Sequence, residues 1–168
     1  LGDSVRGGGK YLVSDTTAAE VSNNNVIKTF NTNGFSVGGA TFVSEGSRTY
    51  VAWGWKETAT AGFDIVSYTG NATGGRTIAH SLSAVPKMMI VKNRDAAVKW
   101  VVYHAKNTAA PETDHLVLDT NGARASSSSI WNNTAPTADV FSLGGGGSTN
   151  NSSGTYIAYC FHSVDGYS

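Results

Sequence analysis

Cysteine, proline and charge are all scarce in this chain. Cys160 is the one cysteine among 168 residues, which excludes a disulfide within the chain and a cysteine-built metal site. Charged residues make up 14%, well under the roughly 25% of an average soluble protein. Twelve basic residues offset twelve acidic ones, so no net field draws the chain to nucleic acid or to an anionic membrane. No run approaches the ~18 apolar residues of a membrane-spanning helix, and membrane insertion is not expected. The chain opens on Leu1 and shows no secretory leader, which reads as a processed product or a fragment of something longer.

Gly, Ser, Thr and Asn fill the place of the missing charge. Disorder does not follow, because 40% of the residues are hydrophobic and fall in short, regular runs. These runs are rich in Val, Ile, Tyr, Phe and Trp and end at Gly, Asn, Ser or Pro, the punctuation of strands. Strands are predicted at Lys10–Ser14, Val26–Phe30, Gly34–Val37, Thr49–Lys56, Phe63–Thr69, Arg76–Leu82, Lys87–Lys92, Lys99–His104, His115–Asp119, Ser129–Trp131, Val140–Leu143 and Thr155–Val164. Only Asp15–Ser22 reads as a helical turn. The expected fold is all-β, a two-sheet antiparallel sandwich of jelly-roll or lectin-like type.

The chain also repeats itself. Tyr11-Leu12-Val13-Ser14-Asp15-Thr16 returns 104 residues later as His115-Leu116-Val117-Leu118-Asp119-Thr120. Phe35-Ser36-Val37-Gly38-Gly39 returns 106 residues later as Phe141-Ser142-Leu143-Gly144-Gly145, and Thr49–Trp55 as Thr155–Phe161. What recurs is alternation and aromatic placement, which preserves architecture rather than chemistry. Residues 1–60 then form the second half of one unit of about 105 residues, and 61–168 one complete unit, expected to pack as one continuous sandwich, with two separate domains as the alternative. A half-unit leaves an apolar face uncovered and needs a neighbour. Within Thr49–Lys56, Val51, Trp53 and Trp55 share one face, and Tyr50, Ala52 and Gly54 the other. Met88-Met89-Ile90-Val91 does not alternate and is expected to be a central strand covered on both faces.

For chemistry the residues offer little. His80, His104, His115 and His162 lack metal-site spacing and read as structural. There is no G-x-S-x-G elbow, and the acidic residues are dispersed rather than paired as glycoside hydrolysis requires. No enzyme activity and no cofactor are expected. Asp119 and Asn121 open a weak calcium-loop pattern before Gly122 but have no bidentate Glu at the required distance, so a strand-ending turn is favoured. Gly144–Gly147 lacks the ending of a phosphate loop. Asn71, Asn132 and Asn151 sit in glycosylation sequons that arise from composition. The candidate ligand-binding loop is Trp131, Asn132, Asn133 and Thr134, where an aromatic beside amides and a hydroxyl suits stacking on a sugar. The competing reading puts Trp131 in the core, since its repeat counterpart is the aliphatic Ile27.

Several stretches carry a resemblance. They are Asp3–Gly7 before Lys10-Tyr11-Leu12, Asn33–Gly38, Thr49–Lys56, Gly62–Asn71, Ala84–Lys92, Trp131–Pro136 and Tyr156–Phe161. Together they resemble a β-rich tandem-repeat module of tailed-bacteriophage virion structural proteins, tail-fibre-like and common in marine phages. The resemblance implies a place on the virion, an extracellular particle surface, with other virion proteins as partners and a homo-oligomer, either trimer or polymer. It also implies attachment to the bacterial surface through a host glycan, a polysaccharide. The alternative is a purely structural spacer, capsid-decorating or filament-forming subunit with no external ligand.

Overall fold

The computed structural model describes residues 1–166. Its strands, in chain order, are β1 (Lys10–Tyr11), β2 (Val21–Ser22), β3 (Ile27–Asn31), β4 (Gly34–Val37), β5 (Phe63–Thr69), β6 (Arg76–Ala79), β7 (Met88–Asn93), β8 (Val101–His104), β9 (Asp114–Val117), β10 (Ala125–Ser126), β11 (Val140–Leu143) and β12 (Thr155–Phe161). Among the described residues three single α-helical turns, α1 (Thr41–Ser44), α2 (Ser128–Trp131) and α3 (Gly147–Asn150), and two 3-10 turns, Ala59–Ala61 and Pro111–Thr113, interrupt them. The fold is all-β, and its pairings are antiparallel.

Six strands make one sheet in the order β10-β9-β8-β7-β12-β5, while β6 pairs with β11, β3 with β4 and β1 with β2. β12 is the spine of the large sheet, bonded to β5 on one side and β7 on the other. Its sequence explains this place. Thr155–Phe161 has no Gly or Pro to break a ladder, and its β-branched and aromatic residues favour extended backbone. Ala158 stands between Val66 and Val91, and Tyr159 between Ile65 and Ile90.

The alternation of β12 divides the core. Tyr156, Ala158 and Cys160 join Tyr68, Ile78, Met89, Val91, Ile130, Trp131, Phe141 and Leu143 in one cluster. On the other face Ile157 and Tyr159 join Leu12, Phe63, Ile65 and Trp100. The β6/β11 pair and α2 thus cover one face of the sheet, and the chain around Leu12 covers part of the other. Each such large apolar side chain removed from water stabilises the fold by about 1.5–3 kcal/mol. As expected, β7 lies inside the sheet, with Met89 and Val91 in the first cluster and Ile90 against the second.

Three sequence expectations are corrected. Thr49–Lys56 is an exposed, irregular segment rather than a strand, because the positions beside β5 and β7 that its pattern suits are filled by β12. Ser129–Trp131 belongs to a helical turn, started when the Ser127 hydroxyl accepts from the Ser129 N–H at 3.3 Å. Asp15–Ser22 forms a turn followed by β2, with no helix. Gly144 is required by a close approach: a Cβ there would lie 2.3 Å from the backbone of Ser129.

Candidate functional site

The predicted sugar loop divides at its first residue. Trp131 is 1% exposed and meets Tyr103 edge-on, ring centroids 6.0 Å apart. Both ring faces belong to the core, so no face is open for stacking on a sugar, and the reading of Trp131 as a binding aromatic is corrected. Asn132 and Asn133 follow with φ of 55° and 50°, a left-handed pair that asparagine tolerates better than most residues. The Asn132 N–H closes the helical turn on the Ser128 carbonyl, and Thr134 donates its hydroxyl to the Asn132 carbonyl at 2.9 Å. Asn133 and Thr134 stay exposed.

Around this turn the structure gathers two further loops. Asn150, fully buried, donates its amide to the carbonyls of Thr73 and Gly144, both at 2.9 Å, and accepts from the Asn71 N–H. Gly144 and Gly146 donate to the carbonyls of Ile130 and Ser129. Loops 70–75 and 144–151 are therefore braced from beneath by the buried Asn150 amide and 132–134 by its own turn bonds, while Asn71, Thr73, Asn133 and Thr134 face solvent. The tyrosines of the core reach the same end: Tyr68 donates to the Thr149 carbonyl and Tyr156 to that of Gly147, both at 2.7 Å.

The weak calcium pattern does not assemble. Asp119 Oδ1 accepts from the Trp100 N–H at 2.9 Å, which makes it the strand-ending partner of the next β-strand over. Asn121 is exposed, and among the described residues no three His, Cys, Asp or Glu side chains form a group able to hold a metal ion. His80 and His162 bond backbone carbonyls, and His104 Nδ1 accepts from the Lys106 N–H. His115 is buried with neither ring nitrogen bonded among the described residues. Burial, with Lys99 nearby, holds its imidazole below the ordinary histidine range, against the opposing pull of Asp114. Cys160 is buried in the first core cluster, and burial pushes its thiol well above the ordinary range, away from nucleophilic chemistry.

Where acidic residues converge, they are ion-paired. Arg6 donates to Asp3 Oδ2 at 2.6 Å and Glu20 Oε2 at 3.1 Å, and Arg94 grips both oxygens of Glu20 at 2.9 Å. Tyr159 of β12 donates its hydroxyl to Asp3 at 2.7 Å. Burial alone would raise the Glu20 carboxyl, but bonds from Arg94 and Arg6 outweigh it and hold it below the usual range. Lys92, also buried, spends its three ammonium hydrogens on the carbonyls of Thr17, Ala96 and Val98. These groups pin residues 1–20 to the large sheet. Sequence reading missed this network, although the Asp3-x-x-Arg6 spacing was a faint signal for it.

A hollow of about 390 Å³ lies at the β7/β8 end, lined by Lys87, His104, Ala105, Lys106 and Ser163. Among the described residues its lining contains no carboxylate. The apolar surface is a larger feature. Val51, Trp53 and Trp55 are 82%, 81% and 59% exposed, and Phe30, Phe35, Val37 and Phe42 also face solvent.

Among known proteins, no curated protein and no solved structure matches the chain. One protein family matches it over residues 1–168, described as a domain of unknown function, DUF7483.

Proposed function

From a chain that belongs to the DUF7483 family along its whole length, we propose a structural module of a tailed-bacteriophage appendage, built of tandem β-units and shaped to be joined to like units. The recurrence of one strand pairing carries this reading. Lys10 pairs with Ser22 and Tyr11 with Val21; 104 residues on, Asp114 pairs with Ser126 and His115 with Ala125. β4 and β11 likewise occupy positions 106 residues apart, as do α1 and α3. Different side chains take the same backbone path, which supports units of 104 to 106 residues. In such a unit the six-stranded sheet is one wall of a jelly-roll or lectin-like sandwich, and β6/β11 begins the other.

The phage setting rests on the sequence resemblance, and places the module on the virion among other virion proteins. No catalytic role is part of the reading. Attachment to a host polysaccharide is the second reading, favoured by the exposed amides and hydroxyls of Asn71, Thr73, Asn133 and Thr134 on braced loops. It ranks second because Trp131 is enclosed.

The two readings separate in one assay. Fluorescently labelled chain is offered to bacterial surface glycans and whole marine cells, with its mass taken by light scattering on the same sample. The structural reading expects no binding that a free sugar blocks. Saturable binding blocked by a defined sugar overturns it in favour of attachment.

A further inference from the structure

We propose that Thr49–Lys56 is an unplaced strand, and that it docks into the open slot of a β-layer built like Phe63–His104 and supplied by another unit of this family. The inference deepens the repeat reading above and rests on it, but not on any role in host attachment.

The two copies of one segment are the starting point. Thr49-Tyr50-Val51-Ala52-Trp53-Gly54-Trp55 corresponds to Thr155-Tyr156-Ile157-Ala158-Tyr159-Cys160-Phe161. The second copy is β12, bonded along both edges and enclosed on both faces, with Tyr156, Ile157, Ala158 and Cys160 all 0% exposed. The first copy has the same alternation and carries no charge from Thr49 to Trp55, yet lies unpaired in solvent. An uncharged, aromatic, strand-forming segment left open is a docking element or an aggregation hazard.

The surroundings of the first copy are uncovered at matching places. Phe141 and Leu143 of β11 are 1% and 0% exposed, whereas their counterparts Phe35 and Val37 are 48% and 38%. Among the described residues, Val85 and Leu118 are the only strongly exposed large apolar side chains outside residues 1–55. In the complete unit, β11 and β12 are covered by β5, β6, β7 and β8, all within Phe63–His104. That identifies the occupant. Ala52 and Gly54 take the places of Ala158 and Cys160, leaving room for a second layer on that face, and β4 supplies the Phe35 and Val37 to fill it.

A second copy of this chain does not solve the problem. Each copy brings two strands of this type and one slot, between β5 and β7, which its own β12 fills. Exchange between copies leaves one strand per chain unplaced. The partner must be a layer whose slot is empty, filled by strand donation from this chain.

The tryptophans report the event. Trp100 and Trp131 are buried, while Trp53 and Trp55 are exposed. A duplicate of residues 57–104, carrying Trp100→Phe in the duplicate so that the tryptophans stay at four, is joined ahead of Leu1, the position the 104-residue offset assigns it, and acrylamide quenching is compared with that of the full 168-residue chain. In the full chain two tryptophans are expected to quench as exposed. In the extended chain Trp53 and Trp55, flanked by the added strands, are expected to quench markedly less, with emission shifted to the blue, while Trp100 and Trp131 stay protected. Ala52→Asp in the extended chain is expected to expose two again, because a carboxylate cannot enter the slot.

Persistent quenching of Trp53 and Trp55 in the extended chain overturns the proposal, whether or not the added segment folds. Protection that survives Ala52→Asp overturns strand insertion. Protection already present in the unextended chain, accompanied by a dimer in light scattering, overturns the choice of partner in favour of a second copy. The glycan assay bears on attachment alone, so the two failures are told apart.

Discussion

Replacing Trp131 with alanine sets the two readings of its loop against each other. The side chain is 1% exposed and packs in a cluster that includes Tyr103, Ile130, Phe141 and Leu143. Deleting a buried tryptophan costs about 3–5 kcal/mol, from lost transfer energy together with the cavity left behind. A chain of this size loses roughly 2–4 °C per kcal/mol, so the midpoint is expected to fall by about 6–20 °C. The indole N–H has no acceptor among the described residues. Trp131→Phe therefore gives up no hydrogen bond and keeps an apolar ring, and its cost is expected to stay below about 2 kcal/mol. Trp53→Ala, at an 81% exposed position, is expected to stay within about 0.5 kcal/mol of the parent. Urea titration followed by far-ultraviolet circular dichroism measures all three on one scale, provided the slopes agree. A Trp131→Ala protein within about 1 kcal/mol of the parent would refute the core assignment. If that protein also lost glycan binding, the sugar loop would be restored.

The remaining predictions use the same titration or its pH dependence. Phe141→Ala is expected to cost about 3–5 kcal/mol and its counterpart Phe35→Ala less than about 1, and equal costs would contradict the different environments of the two copies. Arg6→Ala leaves Asp3 and Glu20 facing each other without their shared cation, a loss of about 3–5 kcal/mol by analogy with other broken buried pairs, and thermal melts that barely move would show the network to be solvated. His115 takes up its proton more readily in the unfolded chain than in the fold, so its contribution is complete above the ordinary histidine value of 6.5 and is lost as pH falls through it. His115→Phe is expected to flatten stability between about pH 7 and 5, and an unchanged slope would mean another group controls it. Glu20 behaves in the same direction at lower pH: its depressed carboxyl contributes above the ordinary value of 4.5 and loses that contribution on further acidification, a limb that Glu20→Gln should remove.

Much of the β architecture was legible because alternation and turn residues act locally. Gly34–Val37, Phe63–Thr69 and Val140–Leu143 match their predicted bounds, and the unalternating Met88–Val91 run did mark an internal strand. The failures lie where distant parts of the chain decide. Ser129–Trp131 looked like a strand because Ile130 and Trp131 are apolar, but the hydroxyl of Ser127 and the left-handed Asn132 make it a helical turn. The candidate loop was read from its composition, yet the direction in which Trp131 points depends on Tyr103, in another strand. The Asp3–Arg6–Glu20–Arg94–Tyr159 network joins residues up to 156 positions apart, and no local spacing predicts such a contact.

Thr49–Lys56 shows why a good strand pattern is not a strand. Its residues match β12 closely in alternation, and although Gly54 weakens its preference for extended backbone, one glycine does not account for one copy being a spine and the other an open segment. Pairing decides it, because an unpartnered strand satisfies its backbone with water and gains nothing from extension. One position also separates the copies chemically. Tyr159 presents a hydroxyl that donates to Asp3 and accepts from Arg6, and so ties residues 1–20 to the large sheet. Its counterpart, Trp53, has an indole N–H that can donate but cannot accept from a guanidinium. A layer that received Thr49–Lys56 would therefore have to cover Trp53 with apolar side chains or a carbonyl, not with a copy of the Asp3–Arg6 pair. Alternation makes the two segments alike, and this side chain means that a junction formed by Thr49–Lys56 would differ from the one β12 forms.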